Sequence, residues 1–143
     1  NSQVSKYWAK LSGPLLDRID IQTEVTRLDE KEIIGHVPTG ETSQVIRERV
    51  TKARKIQVER FNKDGIVCNS QMSTKHLKKY CHLQEESQTL LLGAIRKLQL
   101  SARSYDRILR LSRSIADLEG VESIKTHHIA EALQYRSLAY LNG

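Results

Sequence analysis

Ile19-Asp20-Ile21-Gln22-Thr23-Glu24-Val25 alternates apolar or β-branched residues with polar ones. That is the two-residue period of a strand with one buried face. No other stretch of the chain shows it convincingly. One strand makes no sheet, so two readings stand: a helical fold with a stray extended segment, or one strand of a sheet whose other strands are missing. The second is favoured. Upstream, Ser12-Gly13-Pro14 stops a short helix over 3–11, and Leu15-Leu16-Asp17-Arg18 forms a turn.

Downstream the pattern is helical. Asp29-x-x-Glu32 has the spacing of a capping box, and the loop 35–40 with Pro38 ends that short helix. A long helix over 42–61 follows, with Ile46, Val50, Ala53 and Phe61 on one stripe, until Asn62-Lys63-Asp64-Gly65 stops it. Ser73 and Thr74 can cap a helix reaching Tyr80. Further helices cover 84–98 and 101–118, and Thr126 can cap the last, to 138. Gly120 stands where a C-terminal stop belongs. The expectation is an extended segment, a long connecting helix and a compact bundle of four shorter helices.

The 143 residues, with 23 Lys+Arg against 17 Asp+Glu, describe one soluble domain or a fragment of a larger protein. A chain of this length buries enough apolar surface to need no disulfide or metal. Cys68 and Cys81 pair once at most, and no basic-then-apolar leader opens the sequence, so a reducing, cytoplasmic setting is expected. The apolar run Leu90-Leu91-Leu92-Gly93-Ala94-Ile95 is far short of the ~20 residues of a spanning helix, and no membrane partner is expected.

The net charge of +6 is concentrated. Between positions 44 and 63 stand Arg47, Arg49, Lys52, Arg54, Lys55, Arg60 and Lys63 against Glu48 and Glu59. Such a helix meets phosphate backbone, a membrane surface or an acidic neighbouring subunit, or is simply a solvated face.

Self-contained catalytic motifs are missing: there is no G-x-x-x-x-G-K-[ST], no G-x-S-x-G and no H-E-x-x-H. Cys68, His76, Cys81 and His82 lack paired metal-ligand spacing, so no metal site is expected. His127-His128 reads as a surface pair, because neighbouring helical positions point about 100° apart.

The arginines say more. Arg103, Arg107, Arg110 and Arg113 share one arc of the helix over 101–118, while Ile108, Leu111, Ile115 and Leu118 lie in the opposite arc. One face packs and the other presents guanidinium groups; the alternative is a solvated face with local pairs, Asp106 to Arg110 and Asp117 to Arg113. Arg103, in the first turn, is best placed to reach a ligand at the helix's N-terminal end. Arg18 lies between Leu15-Leu16 and the strand, both expected to be buried, so its backbone is held while its head reaches outward, as a phosphate-contacting arginine requires. The alternative is a salt bridge to Asp17, Asp20 or an acid elsewhere.

Ser12-Gly13-Pro14-Leu15-Leu16-Asp17-Arg18-Ile19-Asp20-Ile21 resembles the segment that magnesium-chelatase-like AAA+ ATPases of the ComM (YifB) type carry just before the last strand of their nucleotide-binding core. The resemblance continues through Leu100-Ser101-Ala102-Arg103-Ser104-Tyr105-Asp106-Arg107-Ile108-Leu109-Arg110, Ser114-Ile115-Ala116-Asp117-Leu118 and His128-Ile129-Ala130-Glu131-Ala132-Leu133-Gln134-Tyr135-Arg136. It implies a mainly α fold, the helical lid bundle of an AAA+ ATPase preceded by one strand from a truncated α/β core. Residues 1–27 would end the core, 28–65 would be a connecting loop and long basic helix, and 66–143 the C-terminal lid.

The same resemblance puts Walker A, Walker B and sensor-1 upstream of Asn1, in a parent protein using ATP and Mg²⁺. This chain alone would bind neither tightly and would not hydrolyse ATP. Arg18 would be the arginine finger, catalytic in trans in a hexameric ring whose partner is the protein itself. Arg103 would be the sensor-2 arginine on its own subunit's nucleotide. The parent would be a DNA-remodelling, branch-migration type motor, with Arg47, Arg49, Lys52, Arg54 and Lys55 as candidate nucleic-acid contacts. Against DNA, Phe61, Trp8 and the tyrosines do not interleave with basic residues as base stacking requires. The alternatives are a chelatase-like motor acting on a protein or metal-insertion partner, and a helical interaction module without nucleotide.

Overall fold

A computed structural model describes residues 10, 15, 18–25, 27 and 40–141, with side chains up to 136. The capping box at Asp29 and nearly all of the helix expected over 3–11 lie outside the described residues. Among those described there are five helices and no sheet: α1 Ser43–Arg60, then a 3-10 turn Asn69–Gln71, α2 Thr74–Tyr80, α3 Glu85–Lys97, α4 Ala102–Glu119 and α5 Thr126–Leu141. The mainly helical bundle expected from the sequence is present.

The helix ends follow from local chemistry. Thr42 accepts the Val45 amide at 3.4 Å and Ser101 accepts that of Ser104 at 3.2 Å, each satisfying an orphan donor of the first turn. α3 opens with Glu85 and Glu86 and closes with Arg96 and Lys97, matching its dipole. Gly120 takes φ 79°, and Val121 N–H returns to the Ala116 carbonyl at 3.0 Å. Two helices begin on histidine. The Ser73 amide donates to His76 Nδ1 at 3.1 Å, and the Lys125 amide donates to His128 Nδ1 at 2.9 Å. Thr126 therefore opens α5 without capping it, and its hydroxyl meets that of Ser87 at 3.1 Å.

The core joins Phe61, Met72, Leu77, Leu91, Ile108, Leu109, Ile124 and Ile129. α4 is its centre, packed against α1, α2 and α5, while α3 leans on α5. The buried face of α4 consists of Ser104, Ile108, Leu109, Ser112, Arg113, Ala116 and Asp117. This is a correction: Leu118, expected to pack, is 43% exposed, and Arg113, expected to face outward, is 2% exposed. The small residues Ser104, Ser112 and Ala116 share this face with Ile108 and Leu109, so the packed arc is rotated away from Leu118.

What makes a buried arginine tolerable is Asp117, itself buried. Its Oδ1 receives Arg113 Nε at 3.0 Å, and its two oxygens take both terminal nitrogens of Arg60, one at 2.9 Å. Asn69 Nδ2 adds a bond at 2.8 Å. The rest of the Arg113 guanidinium is spent on the Val121 carbonyl at 2.6 Å and that of Glu122. Burial works to raise the Asp117 carboxyl, but the Arg60 and Asn69 hydrogen bonds and both guanidinium charges together hold it below its usual value. Arg60, counted in the basic run, is thus an internal ion-pair partner.

Residues 19–25 do not form the expected strand. Among the described residues their backbone donates one bond to the bundle's backbone, Gln22 N–H to the Tyr135 carbonyl at 2.8 Å. Nor is there a buried apolar face. Ile19, Ile21 and Val25 are exposed, as is Leu15, while Gln22 is half-buried against α5. Polar bonds from the bundle hold the segment where apolar burial was expected.

His127-His128 is no surface pair. His128 is fully buried, and its Nε2 lies 2.6 Å from Glu119 Oε2; exposed His127 approaches the same oxygen at 2.7 Å. These hydrogen bonds, from His127 first and His128 next, pull the Glu119 carboxyl down to about 2.

Asp117→Asn leaves two guanidinium groups without a counter-charge in the interior, so it should destabilise the fold by about 3–5 kcal/mol, read from urea unfolding. Glu119 gives a pH-dependent test. Its folded value lies below the ordinary 4.5, so its contribution is complete above that value and is lost as pH falls towards 2. The urea midpoint of the wild type should exceed that of Glu119→Gln at pH 6, and the two should converge near pH 2.

Candidate nucleotide-sensing arginines and basic helix

The N-terminus of α4 is built by the turn before it. Leu100 N–H returns to the Ile95 carbonyl at 3.0 Å, which places Gln99 in the left-handed region at φ 49°. Leu100 is then buried and Ser101 is delivered to the cap position. Arg103 follows in the first turn, exposed to solvent. Among the described residues it makes no hydrogen bond or ion pair.

Its three successors on α4 are all engaged. Arg107 donates through one terminal nitrogen to the Arg18 carbonyl at 2.7 Å and to Asp20. Arg110 donates to the Met72 carbonyl at 2.8 and 3.0 Å and approaches Asp106 at 3.9 Å. Arg113 is locked on Asp117. Asp106, three residues beyond Arg103, therefore turns towards Arg110. Of the four arginines expected to present guanidinium groups, Arg103 alone has no partner among the described residues.

Arg18 is exposed at the end of a turn in which its N–H donates to the Leu15 carbonyl at 2.9 Å. The alternative partner Asp20 is taken by Arg107. The next carbonyl, that of Ile19, receives Arg136 Nη1 at 3.3 Å. The backbone of Arg18 is held while its side chain reaches outward, as expected, although by a different cause. Sequence spacing gave no hint of Arg107 and Arg136 in this role, because they stand 89 and 117 positions away from their partners.

The first half of α1 projects past the bundle, with every residue from 43 to 52 exposed. Ile46 and Val50 continue the stripe of Ala53 and Gln57, yet only the latter two are buried. Of the five basic residues singled out there, Arg49 makes a two-pronged bond with Glu41 at 2.8 and 2.9 Å, and Arg54 reaches Gln57 at 3.5 Å. Arg47, Lys52 and Lys55 have no partner among the described residues; Lys52 and Lys55 fall on the arc opposite the stripe and Arg47 on its flank.

Two other features bear on ligands. Glu119, His127 and His128 bring three potential metal-ligand atoms within 4.8 Å. His128 Nδ1, however, accepts the Lys125 amide, which assigns the ring hydrogen to Nε2, pointing at Glu119. The nitrogen that faces the cluster is a donor, so the trio closes a helix terminus. A cleft of about 710 Å³ near the C-terminal end of α4 is lined by Arg60, Lys79, His82, Arg113 and Glu122, at the opposite end of the helix from Arg103. The two cysteines are free: Cys81 is buried with its thiol pushed up to about 12 by desolvation, and half-buried Cys68 is lowered chiefly by a 3.1 Å contact with the Ser70 hydroxyl.

No described helix is long and apolar enough to cross a membrane. Comparison with known proteins bears on the helices and the Arg18 segment alike. The family described as "Magnesium chelatase, subunit ChlI C-terminal" matches residues 40–136, and "Magnesium chelatase, subunit ChlI" matches residues 1–33. Competence protein ComM of Haemophilus influenzae is 42% identical over 97% of this chain, and YifB of Escherichia coli 33% over 95%. YifB of Salmonella typhimurium is 32% identical over 95%. In each case the match covers 26% of the relative, so this chain spans about a quarter of their length. The bundle centred on α4 corresponds to the ChlI C-terminal region, and the chain belongs to the magnesium-chelatase-like family as a homologue of ComM.

Proposed function

We propose that this chain is the lid-and-finger region of a ring-forming ATPase, in which Arg103 contacts the nucleotide of its own subunit and Arg18 that of a neighbour. The observation that carries the reading is the contrast along α4: Arg107, Arg110 and Arg113 are all engaged, while Arg103 stands exposed in the first turn with its donors uncommitted. A guanidinium held there neutralises charge on phosphate oxygens, and one supplied by a neighbouring subunit is worth about 10³–10⁵ in the rate of phosphoryl transfer. ATP and Mg²⁺ are the cofactors this reading requires, held by a nucleotide core in the full-length protein.

The projecting half of α1 supports a DNA-remodelling role for that protein. Arg47, Lys52 and Lys55 are solvated cations without partners among the described residues, the footprint that a phosphate backbone needs. The exposed Ile46 and Val50 beside them favour the second reading, a motor acting on a protein partner.

ATP hydrolysis by the full-length protein, with and without DNA, tests both. Arg18→Ala should lower the rate by about 10³-fold or more. DNA should raise the wild-type rate, and replacing Arg47, Lys52 and Lys55 together by Gln should weaken DNA binding and flatten its log–log salt dependence by about 2–3 units. Stimulation by a protein and none by DNA would select the second reading. Full activity in both Arg18→Ala and Arg103→Ala would remove the ATPase role of these residues.

A further inference from the structure

The bundle and the Arg18 segment are tied by a small set of polar bonds. Arg107, on α4, donates from one nitrogen to the Arg18 carbonyl and to Asp20. From α5, Arg136 donates to the Ile19 carbonyl, and the Tyr135 carbonyl accepts the Gln22 amide. The described apolar residues of the same segment, Leu15, Ile19, Ile21 and Val25, are exposed, so among the described residues it is these bonds that tie Arg18 to the bundle. Arg107 and Arg103 are four residues apart on α4, one above the other on the same face.

We propose that Arg107 is a positioning residue that couples the two nucleotide-facing arginines. By gripping the backbone of Arg18 from the helix that carries Arg103, it makes any displacement of α4 by its own subunit's nucleotide a displacement of the finger at the neighbour's site. The inference rests on the roles proposed above for Arg18 and Arg103. It adds that the two sites communicate through one side chain. Arg107 itself touches no nucleotide.

The chemistry of the grip dictates the variants. Both bonds leave the same nitrogen, so a lysine ammonium can reproduce them, whereas Arg107→Met keeps the apolar stem and removes the donor. In the full-length protein, Arg107→Met should lower kcat by about 10- to 100-fold, the cost of a misplaced catalytic group. Binding of a fluorescent ATP analogue should stay unchanged, because Arg103 is intact. Arg107→Lys should restore kcat.

A second readout needs no turnover. Without nucleotide, Arg107→Met should raise amide hydrogen exchange in 18–22, where Gln22 N–H is bonded to Tyr135, while exchange in α4 and α5 stays as in the wild type. Wild-type kcat in Arg107→Met, alongside a dead Arg18→Ala, would overturn the coupling and leave the finger role standing. Wild-type kcat in Arg18→Ala would overturn both. Loss of ATP binding together with kcat in Arg107→Met would reduce Arg107 to a structural residue and also overturn the coupling.

Discussion

One carboxylate decides how the long helix meets the bundle. Asp117 is almost completely buried and faces guanidinium groups from α1 and from its own helix, with Asn69 closing the remaining side. An ion pair in such a place adds little over an apolar contact of the same shape, but half of it is very costly to leave behind. Its effect is therefore geometric. Arg60 is the last residue of α1, and Phe61 immediately beyond it packs edge-on against Tyr80 at 5.3 Å. With both fixed, the free half of α1 leaves the bundle in a set direction, and so does its cationic arc.

The helices and their ends were legible because capping is local. Ser101, Gly120 and Ser73 act where the sequence placed them. The histidine caps were equally local and were missed: Ser73-Thr74-Lys75-His76 and Lys125-Thr126-His127-His128 share a threonine at the first helical position and a histidine at the third, and in both the ring accepts the amide three residues back. Long-range partners were not legible. Arg113 and Asp117 at four-residue spacing look like a surface pair, and only Arg60, 57 positions from Asp117, reveals that they form an interior network. In 19–25 the alternation signalled a strand with one buried face, whereas every residue there except half-buried Gln22 is exposed. It could not say which face met the protein, because the partners are arginine side chains from α4 and α5 that grip carbonyls, whatever side chains stand beside them.

The candidate site shows the same division. Arg103 could be singled out from its place in the first turn, since a helix N-terminus is a position readable from caps. Arg18 was singled out from its place between Leu15-Leu16 and the expected strand, with a salt bridge as the alternative, and family resemblance supplied its role as a finger. Along α4 the arginines pass from free, to clamping, to carbonyl-bound, to buried within eleven residues. One helix thus carries an exposed arginine at its start and a buried one near its end.

The two thiols differ in a way that turns the bundle into its own reporter. Cys81, wedged beneath α4 with its Sγ 3.9 Å from the Leu109 carbonyl, has a pKa of about 12, so only about one molecule in 10⁵ carries a thiolate there at neutral pH. Alkylation at that position must wait for α2 to part from α4. Cys68 is only partly buried and shifted the other way, so its alkylation needs no such opening. The ratio of the two labelling rates reads the opening of the helical core in the unaltered protein, with one cysteine as the probe and the other as its internal standard.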